Sequence, residues 1–175
     1  LGSQQAILDP DARVEGVFAM WYGKGPGVDR SGDALRHGNA YGSAPKGGVL
    51  VVAGDDHGCV SSSMPHQSDQ LLQAFHMPIV APANVAEHLE FGLYGWALSR
   101  FSGHWVGLTS LSEVVESGAT VDLDAIHARV AAWKSADDVG AATGFMPPAQ
   151  GLHYRWPVLP SLQIEERLAH NLRAV

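Results

Sequence analysis

The apolar positions fall into four short runs separated by longer stretches of mixed character. Gly16-Val-Phe-Ala-Met-Trp21 is a run bracketed by glycines, and Gly48-Val-Leu-Val-Val-Ala53 is β-branched and does not alternate with polar residues. Runs of this kind suit strands buried on both faces of a parallel sheet. Pro78-Ile-Val-Ala81 and His104-Trp-Val-Gly-Leu108 are two further candidates. Enough chain separates each run from the next for a crossover helix. The spacing therefore predicts an α/β fold, a mostly parallel twisted sheet with helices on both faces.

The clearest helical pattern lies between the last two runs, where Val85, Leu89, Leu93, Trp96 and Ala97 repeat at intervals of three and four and predict one buried face. Asn84 is placed to cap it. Glu87 can reach back to the Asn84 amide, and Gly103 can end the helix. Earlier crossovers are expected over about Ser31–Tyr41 and Pro65–Phe75, the first containing Gly32 and Gly38, each costing up to about 1 kcal/mol of helix propensity. Beyond Glu116 the pattern changes. Leu123, Ile126, Val130 and Trp133 form a helical stripe, a Gly/Pro-rich passage runs from Gly140 to Pro160, and another helix is expected from Ser161. The chain thus reads as an α/β domain over residues 1–117, followed by a helical and Pro/Gly-rich appendage or linker over 118–175.

Composition narrows the partners. With 175 residues, 46% of them hydrophobic, there is material for one ordinary core. Eleven basic against eighteen acidic residues, without a Lys/Arg cluster, argue against nucleic acid, whose phosphates must be neutralised. Cys59 is the sole cysteine, so the chain has neither a disulfide framework nor the thiolate spacing for zinc or an iron–sulfur cluster. A reducing, cytoplasmic setting is expected. No apolar run approaches the roughly 18 residues of a membrane span, and no signal peptide is evident. The chain begins at Leu1 rather than Met, which suggests a processed or partial chain.

In an open parallel sheet, ligands bind beyond the carboxyl ends of the strands, where loops and helix N-termini converge. That rule selects Trp21-Tyr-Gly-Lys-Gly-Pro-Gly-Val-Asp29, a glycine loop that backbone could bring close to a ligand, and Gly54-Asp-Asp-His-Gly-Cys-Val-Ser-Ser-Ser63, rich in acids and hydroxyls. Adjacent carboxylates such as Asp55 and Asp56 point apart, so helix capping is a better reading than a divalent cation. Lys24 lacks the spacing of a phosphate-binding P-loop and reads equally as a solvated turn lysine. Cys59, two residues from His57, has no third group to orient a thiolate and base. His57 and His66 are too far apart for a helical metal pair, and Ser61 to Ser63 lack a nucleophile elbow.

Three stretches carry a likeness to a known family: Gly16-Val-Phe-Ala-Met-Trp-Tyr-Gly-Lys-Gly-Pro-Gly-Val-Asp-Arg-Ser-Gly-Asp-Ala34, Gly48-Val-Leu-Val-Val-Ala-Gly-Asp-Asp-His57 and Ser61-Ser-Ser-Met-Pro-His-Gln-Ser-Asp69. In order and spacing they resemble the fused bacterial indolepyruvate ferredoxin oxidoreductases, thiamine diphosphate dependent 2-oxoacid:ferredoxin oxidoreductases. The likeness runs from about Arg13 through Ser117 and resumes over Leu152–Pro157 and Glu165–Arg167. It implies a pyrimidine-binding domain. It also implies an enzyme that oxidatively decarboxylates arylpyruvates to acyl-CoA and passes electrons to ferredoxin.

By this resemblance Tyr22, Gly23, Lys24 and Gly25 approach the aminopyrimidine. Asp55, Asp56, His57, Ser62, His66, Gln67 and Asp69 line the substrate side or meet a partner domain. The activating glutamate belongs upstream of Leu1; Glu15 precedes a strand and does not substitute for it. Magnesium, the iron–sulfur clusters and coenzyme A are implied only through other parts of the full-length enzyme. The chain alone is therefore expected to be inactive, and to form homo-oligomers. The alternative is a non-catalytic small-molecule-binding or regulatory α/β module that uses the same loops. A third reading, compatible with the first, is an assembly domain whose glycine loops form a subunit interface.

Overall fold

A computed structural model describes residues 9–11, 13–132, 145, 152–153 and 161–175. The four apolar runs become strands β1 (Phe18–Lys24), β2 (Gly48–Asp55), β3 (Ile79–Val80) and β4 (Val106–Leu111). All four pair in parallel, in the order β1-β2-β4-β3. Between and after them lie helices α1 (Gly25–Tyr41), α2 (Asp69–Ala74), α3 (Val85–Ser102), α4 (Ser112–Val115), α5 (Leu123–Ala131) and α6 (Ser161–Asn171). The described chain is an α/β fold on an all-parallel sheet.

Strand order explains the layering. The chain moves from β1 to β2 and on past the β4 position to β3, with α1 and α2 on one face. It then steps back to β4, and a right-handed crossover in that reversed direction must cross the opposite face, where α3 lies. Val49, Val51 and Ala53 of β2 meet Val28 and Leu35 of α1 and Leu72 of α2. Leu50 and Val52 point the other way, toward Leu98, Val106 and Leu108. Burial on both faces is why β2 shows no polar alternation. A fully buried side chain such as Val51 contributes about 1.5–3 kcal/mol.

Helix α3 has the ends its sequence predicts, but not the buried face. Asn84 Oδ1 accepts from the Glu87 amide at 2.9 Å, and Gly103 closes the helix with a left-handed φ of 76°. The Glu87 carboxylate reaches the Ala83 amide, one residue before the expected partner. Leu89 and Leu93, expected in the buried stripe, are 45% and 39% exposed. The buried residues are instead Gly95, Leu98, Ser99 and Ser102. Leu98 fills the core on this face, the small Gly95, Ser99 and Ser102 let the helix approach β2 and β4 closely, and Ser99 satisfies its hydroxyl by accepting from the Val49 amide and donating to the His104 carbonyl.

Other boundaries also differ. Helix α1 starts at Gly25 rather than near Ser31, and α2 is confined to six residues of the expected Pro65–Phe75 crossover. Helix α5 packs on α3 through buried Ile126 and an Arg129 guanidinium that grips Glu90 by two bonds of 2.8 Å. Leu123, assigned to the same stripe, is 53% exposed. Trp133 and most of the Gly140–Pro160 passage fall outside the described residues. Helix α6 lies against α1, where Arg167 donates to the Asn39 and Ala40 carbonyls and Asn171 donates to the carbonyls of Ser102 and Leu152. Among the described residues, no helix is long and apolar enough to cross a membrane.

Candidate functional site

A crevice of about 410 Å³ opens at the carboxyl ends of β1, β2 and β4, where the topology puts it. Tyr22, Gly23 and Lys24 form one side, and Gly54, Asp55, Asp56 and Ser61 another. The stretch from Trp21 to Asp29 is not a loop. Tyr22 to Lys24 finish β1, and Gly25 begins α1 with Pro26 in its first turn, a position proline favours because its missing amide would have had no partner there.

Gly25 does not line the crevice. A Cβ placed on it would lie 1.9 Å from His66 Nδ1, so its missing side chain accommodates the imidazole. His66 is tied in turn to Asp29, with Nε2 and Oδ2 3.3 Å apart. This pair packs the loop onto the start of α1 and does not line the crevice. Gly25 and His66 are therefore packed against each other beside the crevice.

The loop from Asp56 to His66 is organised around one carboxylate. Asp56 Oδ1 and Oδ2 accept from the amides of Val60 and Ser61, each at 2.8 Å, while its carbonyl accepts from the amides of Cys59 and His66. The Ser61 amide, then that of Val60, holds the Asp56 carboxyl below its ordinary value. Lys24 Nζ donates to the carbonyl and hydroxyl of Ser61 at 3.0 and 2.9 Å, pinning the loop to the end of β1. Cys59 takes a left-handed φ of 56°, and its thiol donates to the Ser62 carbonyl. Asp55 accepts from the amide and hydroxyl of Ser68 at 2.8 and 2.6 Å and so fixes the entry to α2, the helix-start role read as the alternative to a cation.

Of the residues assigned to the substrate side or a partner domain, Asp55 and Asp56 line this crevice, and both carboxylates are occupied by protein donors. His57, Gln67 and Asp69 are exposed outside it, and Ser62 lies within the Asp56 loop. Among the described residues, no group of three or more His, Cys, Asp or Glu is arranged to hold a metal.

The remaining wall comes from residues the sequence reading passed over: Ser110 at the end of β4, then Ser112, Val115 and Glu116 around α4. The same carboxyl-end rule, applied to the fourth apolar run, would have found them. Ser110 Oγ lies 3.3 Å from Nε2 of His88, whose imidazole is held below its ordinary value by burial and so favours the neutral form. Val52, Val115 and the exposed Tyr22 ring supply apolar surface between these polar rims. The arrangement suits a flat, partly polar ligand, with hydroxyls and backbone on its edges. No family model, curated protein or solved structure matches this chain.

Proposed function

We propose that this chain supplies one wall of a thiamine diphosphate site, as the pyrimidine-binding portion of an indolepyruvate-type 2-oxoacid:ferredoxin oxidoreductase. The observation that carries this reading is the crevice at the carboxyl ends of β1 and β2, whose wall includes Tyr22, Gly23 and Lys24, three of the four residues the resemblance assigns to the aminopyrimidine. Apolar surface from Val52, Val115 and Tyr22 fits the face of such a ring, and the Ser110 hydroxyl and strand-end backbone fit its nitrogens. The diphosphate is a poorer fit, because Lys24 is already bonded to Ser61. A second domain accordingly holds the diphosphate and magnesium.

When bound, thiamine diphosphate supplies the carbon nucleophile and electron sink for decarboxylation of an arylpyruvate. This chain's part is to orient the ring, shield it from water and hold the crevice rigid through Asp56 and Lys24. The iron–sulfur clusters, coenzyme A and ferredoxin engage other parts of the full-length enzyme, in the cytoplasm. A non-catalytic binding module is the competing reading, and the occupied carboxylates of Asp55 and Asp56 favour it to the extent that neither is free to move a proton.

Two measurements test the proposal. The flanking coding sequence is expected to contain an upstream glutamate-bearing helix and downstream cysteine-rich and diphosphate-binding segments; a start codon at Leu1 and a stop after Val175 would sink the enzyme reading. In solution, thiamine diphosphate should bind the isolated chain only in the millimolar range, about 4 kcal/mol, because half its contacts lie elsewhere. Amide shifts should then cluster at Tyr22, Gly23, Gly54 and Ser110. Micromolar affinity, or shifts confined to another surface, contradicts the assignment.

A further inference from the structure

The row across the carboxyl end of the sheet is open in its middle. Lys24 pairs with Gly54, and Gly54 with Ser110, so the three stand side by side on β1, β2 and β4, and all line the crevice. Two strand spacings, about 10 Å, separate the outer pair. A Cβ on Gly54 would meet only the β1 backbone, at 3.5 Å and beyond, so no side chain stands over the notch. Lys24 is bonded to Ser61, and Ser110 is the polar side chain at the other end of the row.

Behind Ser110 stands His88. Alternation along β4 puts Ser110 on the same face as Val106 and Leu108, the face that α3 covers, and His88 lies near the start of α3. Its Nε2 is 3.3 Å from Ser110 Oγ, and Ser110 Oγ makes no other hydrogen bond among the described residues. His88 does not itself line the crevice. Its Nδ1 is buried without a hydrogen-bond partner among those residues.

That asymmetry fixes the tautomer. A neutral imidazole carries one proton, and burial favours the neutral form of His88. On Nδ1 the proton would make a buried N–H with nothing to donate to, which proteins avoid more strictly than an unused acceptor. On Nε2 it is donated to Ser110. The serine oxygen then accepts from His88, and its own proton is left for the crevice.

We infer that Ser110 determines the specificity of the crevice: oriented by His88, its hydroxyl donates to the ligand and selects a planar ring whose β4-facing edge carries a hydrogen-bond acceptor. This rests on the crevice being the ring-binding site described above, and adds what the ring must offer. An unprotonated ring nitrogen or a carbonyl completes the bonding of the serine. An edge bearing N–H reaches only the remaining lone pair of the oxygen and strands the hydroxyl proton, and a C–H edge strands it too. His88 does not touch the ligand and acts as a positioning residue.

Nitrogen NMR on the ligand-free chain reads the tautomer and should find the His88 proton on Nε2. A proton on Nδ1 overturns the proposal, because Ser110 would then donate to His88, and it leaves the ring reading of the crevice standing. Binding is read from amide shifts at Gly54 and Ser110 with two probes, aminopyrimidine and aniline, the second being the same ring with carbon in place of both ring nitrogens. Wild type should bind aminopyrimidine roughly tenfold more tightly than aniline. Ser110→Ala should erase that preference by weakening aminopyrimidine alone, with aniline as the check that the crevice is intact. His88→Leu should cut the preference severalfold, and His88→Gln, whose amide N–H reaches the place of Nε2, should restore it; a purely structural role for His88 would not show that rescue. Equal binding of the two probes by wild type, or a preference that survives Ser110→Ala, overturns selection by Ser110, and one that survives His88→Leu overturns the part of His88. Shifts at no crevice residue with either probe overturn the ring reading itself, and this inference with it.

Discussion

Asn39 shows how much of this fold can rest on one polar side chain. It is fully buried on α1, where its amide nitrogen donates to the carbonyls of Phe75 and His76 and its oxygen accepts from the Trp105 amide and from His104 Nδ1. One residue thereby ties α1 to the turn before β3 and to the entrance of β4. Asn39→Ala strands several buried partners at once, and denaturant unfolding should show a loss of about 2–4 kcal/mol. A loss below about 1 kcal/mol would mean that water replaces the amide, and that the network is less dry than it looks.

His104, in the same network, makes stability depend on pH. Burial, reinforced by the Arg167 guanidinium, pushes its imidazole down to about 4, whereas in the unfolded chain it titrates near 6.5. Between those values the unfolded chain binds the proton and the folded one does not. Stability is therefore complete above about pH 6.5, falls as pH drops toward 4, and levels off below, with a slope of at most about 1.4 kcal/mol per pH unit from this group. His88 and His153, also lowered by burial, act in the same direction. Denaturant midpoints across pH 7 to 4 should trace that decline, and an imidazole resonance from His104 titrating near 6.5 would remove this cause.

Among the elements, the strands were the most legible, because burial on both faces leaves an unmistakable apolar run at Gly48–Ala53. Helix ends were legible where a side chain makes the cap. Asn84→Ala should cost about 1 kcal/mol, read as a fall in Tm of about 2–4 °C for a chain of this length. An unchanged Tm would assign the end of α3 to Glu87 and packing alone. The buried face of α3 was not legible, because a search for large apolar residues selects Leu89 and Leu93. The stripe that actually meets the sheet is built from Leu98 with Gly95, Ser99 and Ser102, and the fitness of the small residues depends on partners far away in sequence. Glycine likewise hid the start of α1, although Pro26 signalled it.

At the scale of the whole molecule, the carboxyl-end rule located the crevice but could not reveal which strands share it. Ser110 and Glu116 join Tyr22 and Asp55 only because β4 lies next to β2, a neighbour relation absent from the order of the chain. His57, Gln67 and Asp69 are exposed outside the crevice lining, while the Asp56 carboxylate folds the intervening loop back on itself. This construction separates stability from site geometry. The core belongs to the sheet and its helices, while one side of the crevice is an exposed loop held by Lys24 and Asp56. Lys24→Met removes both bonds to Ser61 yet disturbs no buried cluster. It should leave Tm within about 2 °C, since exposed polar contacts contribute little. Exchange at the Val60 and Ser61 amides should nonetheless speed up by roughly tenfold, because local opening needs only the loop to release. Faster exchange throughout β2, or a large fall in Tm, would show that the loop is part of the core and that the crevice cannot be altered without unfolding the sheet.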